Sequence, residues 1–168
     1  MTVAALVREL PVDSRSNSLF SKLRPGAPEA ARILFKRVCE FDFSRERLLV
    51  INRLGYEPDV AVAMDQEFKK YLFLRIMHPD QCLPMSKDVD DFWHMAVLNT
   101  RNYHKFCSEV ASGQFIHHGP TVSEEENIAL MPDYLSGTIA RYTQYFGPPD
   151  SLFWKTTTNN QSCCYCAD

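Results

Sequence analysis

Apolar side chains recur three and four residues apart over most of the chain, and no pair of alternating runs separated by a tight turn suggests a sheet. APEAARILFKRVCEF carries Ala, Leu, Phe and Val at helical spacing, with Pro28 suited to a first turn. SRERLLVINRLG follows, with Ser44 as the expected N-cap and Gly55 as the stop. After Pro58, the positions Val60, Met64, Phe68, Tyr71, Leu72 and Ile76 form a stripe with Lys69 and Lys70 beside it, and Pro79 ends the run.

A loop containing Pro84 then leads to Ser86, expected to cap a continuous helix reaching about Ala111, with Gly113 as its left-handed exit. Past Pro120, TVSEEENIALMPDYLSGTIARYTQYFG is helical in pieces, kinked at Pro132 and stopped by Gly147. SEEEN reads as a solvated acidic first turn. These runs predict an all-α, single-domain helical bundle with four or five principal helices. The helical domain spans 1–155, Leu152 to Trp154 dock onto it, and 156–168 form a flexible cysteine-containing tail.

Composition agrees with a folded domain. The 168 residues are 45% hydrophobic, with Phe 11 and Tyr 7, enough for a core without disulfides. Lys+Arg 18 against Asp+Glu 21 gives a net charge of -3, with both signs mixed along the chain. Such a balance argues against nucleic acid or an anionic membrane as partner. The start, MTVAALVRELPVDS, lacks a basic leader, so no signal peptide is expected and a cytoplasmic location follows by default. Cys39, Cys82 and Cys107 read as buried thiols. Cys163, Cys164 and Cys166 in QSCCYCAD are able to take a soft ion but lack paired CxxC knuckles.

The candidate chemistry lies in VDDFWH and FIHHGP. Asp90 and His94, four residues apart on one helix face, can chelate an ion together, or can form a plain carboxylate–histidine pair. His118, or its neighbour His117, is placed to supply a third ligand once the chain turns back at Gly113. Trp93 reads as core packing with Val89, Phe92 and Val97. His104 reads as a buried, hydrogen-bonded histidine, His78 as a cation at a helix end, and Cys107 as packing rather than a nucleophile. Tyr103 can support the site through its hydroxyl. No GxGxxG or GxxxxGK phosphate loop, HExxH or GxSxG elbow occurs.

The block PMSKDVDDFWHMAVLNTRNYHKFCSEVASGQFIHHGP resembles the glycine-rich domain-containing protein-like family. Asp90, Trp93, His94, Thr100, Tyr103, Cys107, Gly113, His118 and Pro120 look like the matching positions. EFKKYLFLRIMHPD is similar to the helix before that motif, so the resemblance covers Glu67 to Pro120. The family's Trp-His-x-His places its second histidine on Ala96, which has no donor atom.

The resulting expectation is a metal-dependent enzyme, with a non-haem iron oxidoreductase as the candidate, acting on a small molecule. Asp90, His94 and His118 would be ligands of a divalent metal, iron preferred over zinc because two histidines and one carboxylate match the facial-triad set. His117 and Tyr103 would be the catalytic side chains. Two further classes stay open: a non-catalytic interaction or assembly protein whose polar block fixes a helix and loop, and a metal-handling protein using the CCYC tail.

Overall fold

The computed structural model describes residues 18–119, 135–150 and 152–154. Seven helices run in the order α1 (Glu29–Glu40), α2 (Ser44–Leu49), a π-helical turn (Val50–Leu54), α3 (Pro58–Met77), α4 (Lys87–Leu98), α5 (Thr100–Glu109) and α6 (Ser136–Phe146). The all-α, single-domain class stands, with no strand among the described residues, but the count of four or five is corrected to seven among those residues, one of them the π-helical turn.

Two of the extra helices come from chain breaks that periodicity does not report. The stretch expected to run unbroken from Ser86 to Ala111 divides at Asn99, whose backbone leaves the helical region (φ -87, ψ 61). Asparagine competes with the helix for backbone partners, and here its side chain also has a buried acceptor to meet, donating to Glu46 Oε1 at 2.7 Å. SRERLLVINRLG likewise divides, its last turn widening into the π turn before Gly55 closes it at φ 77.

The expected caps are corrected too. Ser44 is the first residue of α2 rather than its cap; Phe43 holds the N-cap position without a side-chain bond, and Asp42 just before it accepts from the Ser44 amide at 2.8 Å and hydroxyl at 3.0 Å. Ser86 occupies the N-cap of α4 without a side-chain bond, and its buried Oγ has no partner among the described residues. His78 stands at the C-cap of α3, but burial, then the nearby Arg141 charge, lower its pKa, which works against its expected role as a cation on the helix dipole.

The central element is α3, which packs on α1, α2, α4 and α6. Being enclosed, it buries charged residues along with its apolar stripe, including Lys69 and Lys70. Each lysine is matched. Lys69 Nζ donates to the Cys39 carbonyl at 3.1 Å and lies 3.8 Å from Asp65, while Lys70 Nζ donates to Glu67 at 2.6 Å and Tyr142 at 2.8 Å. Glu67 Oε2 accepts from Tyr142 and from Trp154 Nε1, both at 2.8 Å; Phe153 and Trp154 are buried, whereas Leu152, expected to dock with them, is exposed.

Around α3 the core is aromatic: Phe68 meets Phe43 at 5.4 Å and Phe92 at 5.1 Å between ring centroids. Cys39 and Cys107 are buried, whereas Cys82 is exposed, correcting its reading as a buried thiol. No helix among the described residues is long and apolar enough to cross a membrane. SEEEN, Pro132 and the CCYC tail lie outside the described residues.

Candidate metal centre

The break at Asn99 is what builds the site. In a continuous helix, residues 93 and 103 would stand about 15 Å apart along the axis. With α5 turned back against α4, Trp93 Nε1 donates to the Tyr103 hydroxyl at 2.9 Å. Tyr103 in turn donates to the Ile116 carbonyl at 2.6 Å, fastening the segment that follows α5. That segment is reversed by Ser112 (φ 57) and Gly113 (φ 86), a left-handed pair in which the glycine carries no Cβ penalty. Two residues beyond the fastened Ile116, the His118 ring lies flat on Trp93, centroids 4.4 Å apart and planes 12° from parallel.

This arrangement carries His118 to the Asp90–His94 face of α4. His118 Nε2 is 3.3 Å from His94 Nε2 and 3.1 Å from Asp90 Oδ1. His94 Nδ1 lies 3.0 Å from the Asp90 carbonyl, one turn back, and 3.4 Å from Asp90 Oδ2. A proton on Nδ1 bonded to that carbonyl leaves the Nε2 lone pair of His94 facing His118. One ligand atom from each of Asp90, His94 and His118 falls within 4.8 Å of the others.

The donor set fits a divalent ion on two further counts. Ligands bound at about 2.0–2.2 Å and subtending tetrahedral or octahedral angles stand roughly 2.8–3.6 Å apart, a range that includes the two contacts made by His118 Nε2. Asp90 Oδ1 is buried and makes no hydrogen bond among the described residues, although His118 Nε2 is only 3.1 Å away. Two atoms this close yet not aligned as donor and acceptor suit lone pairs that share a third partner. Asp90 and His118 side chains are enclosed, at 4% and 6% exposure, while His94 is open at 45%, so the centre has a buried floor and one solvent-facing side.

The other residues singled out in the sequence fall elsewhere. His117 is exposed and is not a member of the three-residue cluster, its ring 4.9 Å from Phe115. Tyr103 is buried and burial, its largest influence, drives its pKa above the ordinary phenol range; its hydrogen bonds with Trp93 and Ile116 serve the scaffold. His104 is exposed, which corrects its reading as a buried histidine, and the Cys107 thiol is raised by burial, which suits packing rather than nucleophilic attack. Trp93 is a core residue and also the shelf beneath His118. Sequence reasoning missed Glu46, a fully buried carboxylate held by Asn99 and by Asn102 at 2.9 Å. Its only sequence signal is the pair of asparagines inside a helical run.

Comparison with known proteins places the whole of this centre inside one family. The model of that family, described as UCP032817-like, matches residues 36–129, from α1 through His118 and past the last residue of the cluster. The description names no reaction, ligand or glycine-rich domain. No curated protein matches the chain, and no solved structure matches it. With more than half of its length matched, the chain belongs to the UCP032817-like family.

Proposed function

We infer that this protein is a metal-dependent enzyme acting on a small molecule, with one divalent ion held by Asp90, His94 and His118. The convergence of the two Nε2 atoms and the unbonded Asp90 Oδ1 carries the reading. Iron(II) is preferred over zinc because two histidines and one carboxylate are the facial-triad set, leaving positions open. Such an ion supplies Lewis-acid polarisation or, as iron, redox chemistry. In this chain Asp90 neutralises charge at the floor of the site, Trp93 and Tyr103 hold the His118 ring, and the open side at His94 admits the substrate. His117, exposed next to His118, is the candidate proton carrier.

A second reading has one observation behind it: 3.3 Å between imidazole nitrogens also suits a hydrogen bond from His118 Nε2–H to His94, as in a metal-free polar network that fixes helix and loop. Elemental analysis separates the two. Protein purified without a metal-binding tag and loaded anaerobically with iron(II) or zinc is expected to hold one ion per chain. The His94→Ala and His118→Ala variants should lose it, and replacement of Cys163, Cys164 and Cys166 by serine should not. Wild type without stoichiometric metal would overturn the proposal, and loss confined to the cysteine variants would move the ion to the tail.

A further inference from the structure

The helix break builds a second polar feature that shares no residue with the Asp90 cluster. Asn102 Nδ2 donates to the Asp42 carbonyl at 3.1 Å as well as to Glu46, and Asn99 donates to the same Glu46 oxygen. These bonds tie the start of α2 to the start of α5. Between the two helix starts lies an open cavity of about 320 Å³, at the small end of ligand-sized pockets.

The cavity is lined by three cationic side chains, Arg45, Arg101 and Lys105, against one carboxylate, Asp42. Asp42 is already engaged by the amide and hydroxyl of Ser44. Lys105 has only a loose, exposed pairing with Glu109 at 4.0 Å. Neither Arg45 nor Arg101 has an ion-pair or hydrogen-bond partner among the described residues. A chain of net charge -3 therefore leaves two guanidiniums unpaired around one cavity whose walls are braced from below. Their planar forks match the oxygens of a tetrahedral dianion, and the uncapped N-terminus of α5 adds potential of the same sign.

We propose that this cavity binds a small phosphate-bearing anion through Arg45 and Arg101, with Lys105 as the third cation. The assignment stands apart from the metal centre. It concerns the phosphate group itself, whether free or esterified to a small molecule.

Calorimetric titration of the full chain at low ionic strength tests it, with inorganic phosphate and phenyl phosphate as probes and chloride of matched ionic strength as control. Saturable binding of one phosphate per chain is expected, weakened at least tenfold in an R45Q/R101Q double variant and unchanged in R53Q, which removes an exposed arginine elsewhere. Tighter binding of phenyl phosphate than of phosphate identifies an ester as the ligand class, and equal binding identifies the free ion. Persistence of the binding in His94→Ala separates this site from phosphate bound at a metal. Absence of saturable binding by wild type, equal weakening in R53Q, undiminished binding in R45Q/R101Q, or loss in His94→Ala would each overturn the proposal. Circular dichroism of every variant confirms that the fold is retained.

Discussion

Tyr103→Phe removes a single oxygen that fastens three parts of the site. The hydroxyl accepts from Trp93 Nε1 at 2.9 Å and donates to the Ile116 carbonyl at 2.6 Å, in surroundings where Tyr103 is 1% exposed. Phenylalanine keeps the ring and its 5.5 Å edge contact with Phe115. What it loses is the satisfaction of one buried donor and one buried acceptor. Each orphaned group costs about 1–3 kcal/mol, so an overall loss of about 2–4 kcal/mol is expected after partial relaxation. For a chain of this size that corresponds to a fall in Tm of roughly 5–15 °C. Chemical denaturation of wild type and variant measures the loss directly. Freed from Ile116, the segment carrying His118 should also hold metal about tenfold or more weakly, as when a supporting hydrogen bond behind a ligand is cut. A stability change under about 0.5 kcal/mol would refute the account of the tether. Undiminished metal affinity would show that stacking on Trp93 alone positions His118.

Further outcomes follow from other buried groups. Glu46 carries a pKa raised by burial, so the folded chain binds this proton more tightly than the unfolded one, and its contribution falls as pH rises from the unfolded carboxyl value through the raised one. Glu46→Gln should therefore be at least as stable as wild type at pH 7.5, with the difference shrinking toward pH 4.5 in urea titrations; a difference that widens on acidification would refute this. The Cys39 thiol, pushed up to about 12 chiefly by burial, should resist alkylation at pH 8 while exposed Cys82 reacts, as read by peptide mass mapping. Glu67→Ala strips Lys70, Tyr142 and Trp154 of a shared acceptor and should destabilise by about 3–5 kcal/mol, with Trp154 fluorescence shifting to the red. Ala96→His should lower stability by about 1–3 kcal/mol, since position 96 is fully buried, and should leave metal stoichiometry unchanged.

Local pattern carried the helical class, the glycine stops at Gly55, Gly113 and Gly147, all at positive φ, and the shared face of Asp90 and His94. Each of these depends on residues within about one turn of each other, where spacing alone decides geometry. The buried charges depend on partners far along the chain. Glu67 meets Tyr142 and Trp154 across separations of 75 and 87 residues, so nothing near Glu67 shows that it is enclosed. Lys69 and Lys70 stand beside the apolar stripe with nothing local to show their burial, for the same reason, and α3 has neighbours on several sides. The break at Asn99 was hidden because α4 and α5 are each helical, and the acceptor that favours the interruption, Glu46, lies 53 residues away.

Ala96 bears on the centre in a way that spacing alone leaves open. Read as a missing ligand, it weakens the case for a metal. Two residues along a helix are about 200° apart around its axis, so position 96 faces nearly opposite to His94. The structure has Ala96 fully buried in the core while His94 is half open to solvent, which agrees with that rotation. A histidine there would point into the packing of the bundle rather than toward Asp90. The methyl group therefore removes no donor from the cluster formed by Asp90, His94 and His118. The third donor comes instead from beyond α5, because the break at Asn99 and the Tyr103 tether return the chain to α4. Completeness of the set is thus decided by chain reversal, and the one-turn spacing within VDDFWH supplies only its first two members.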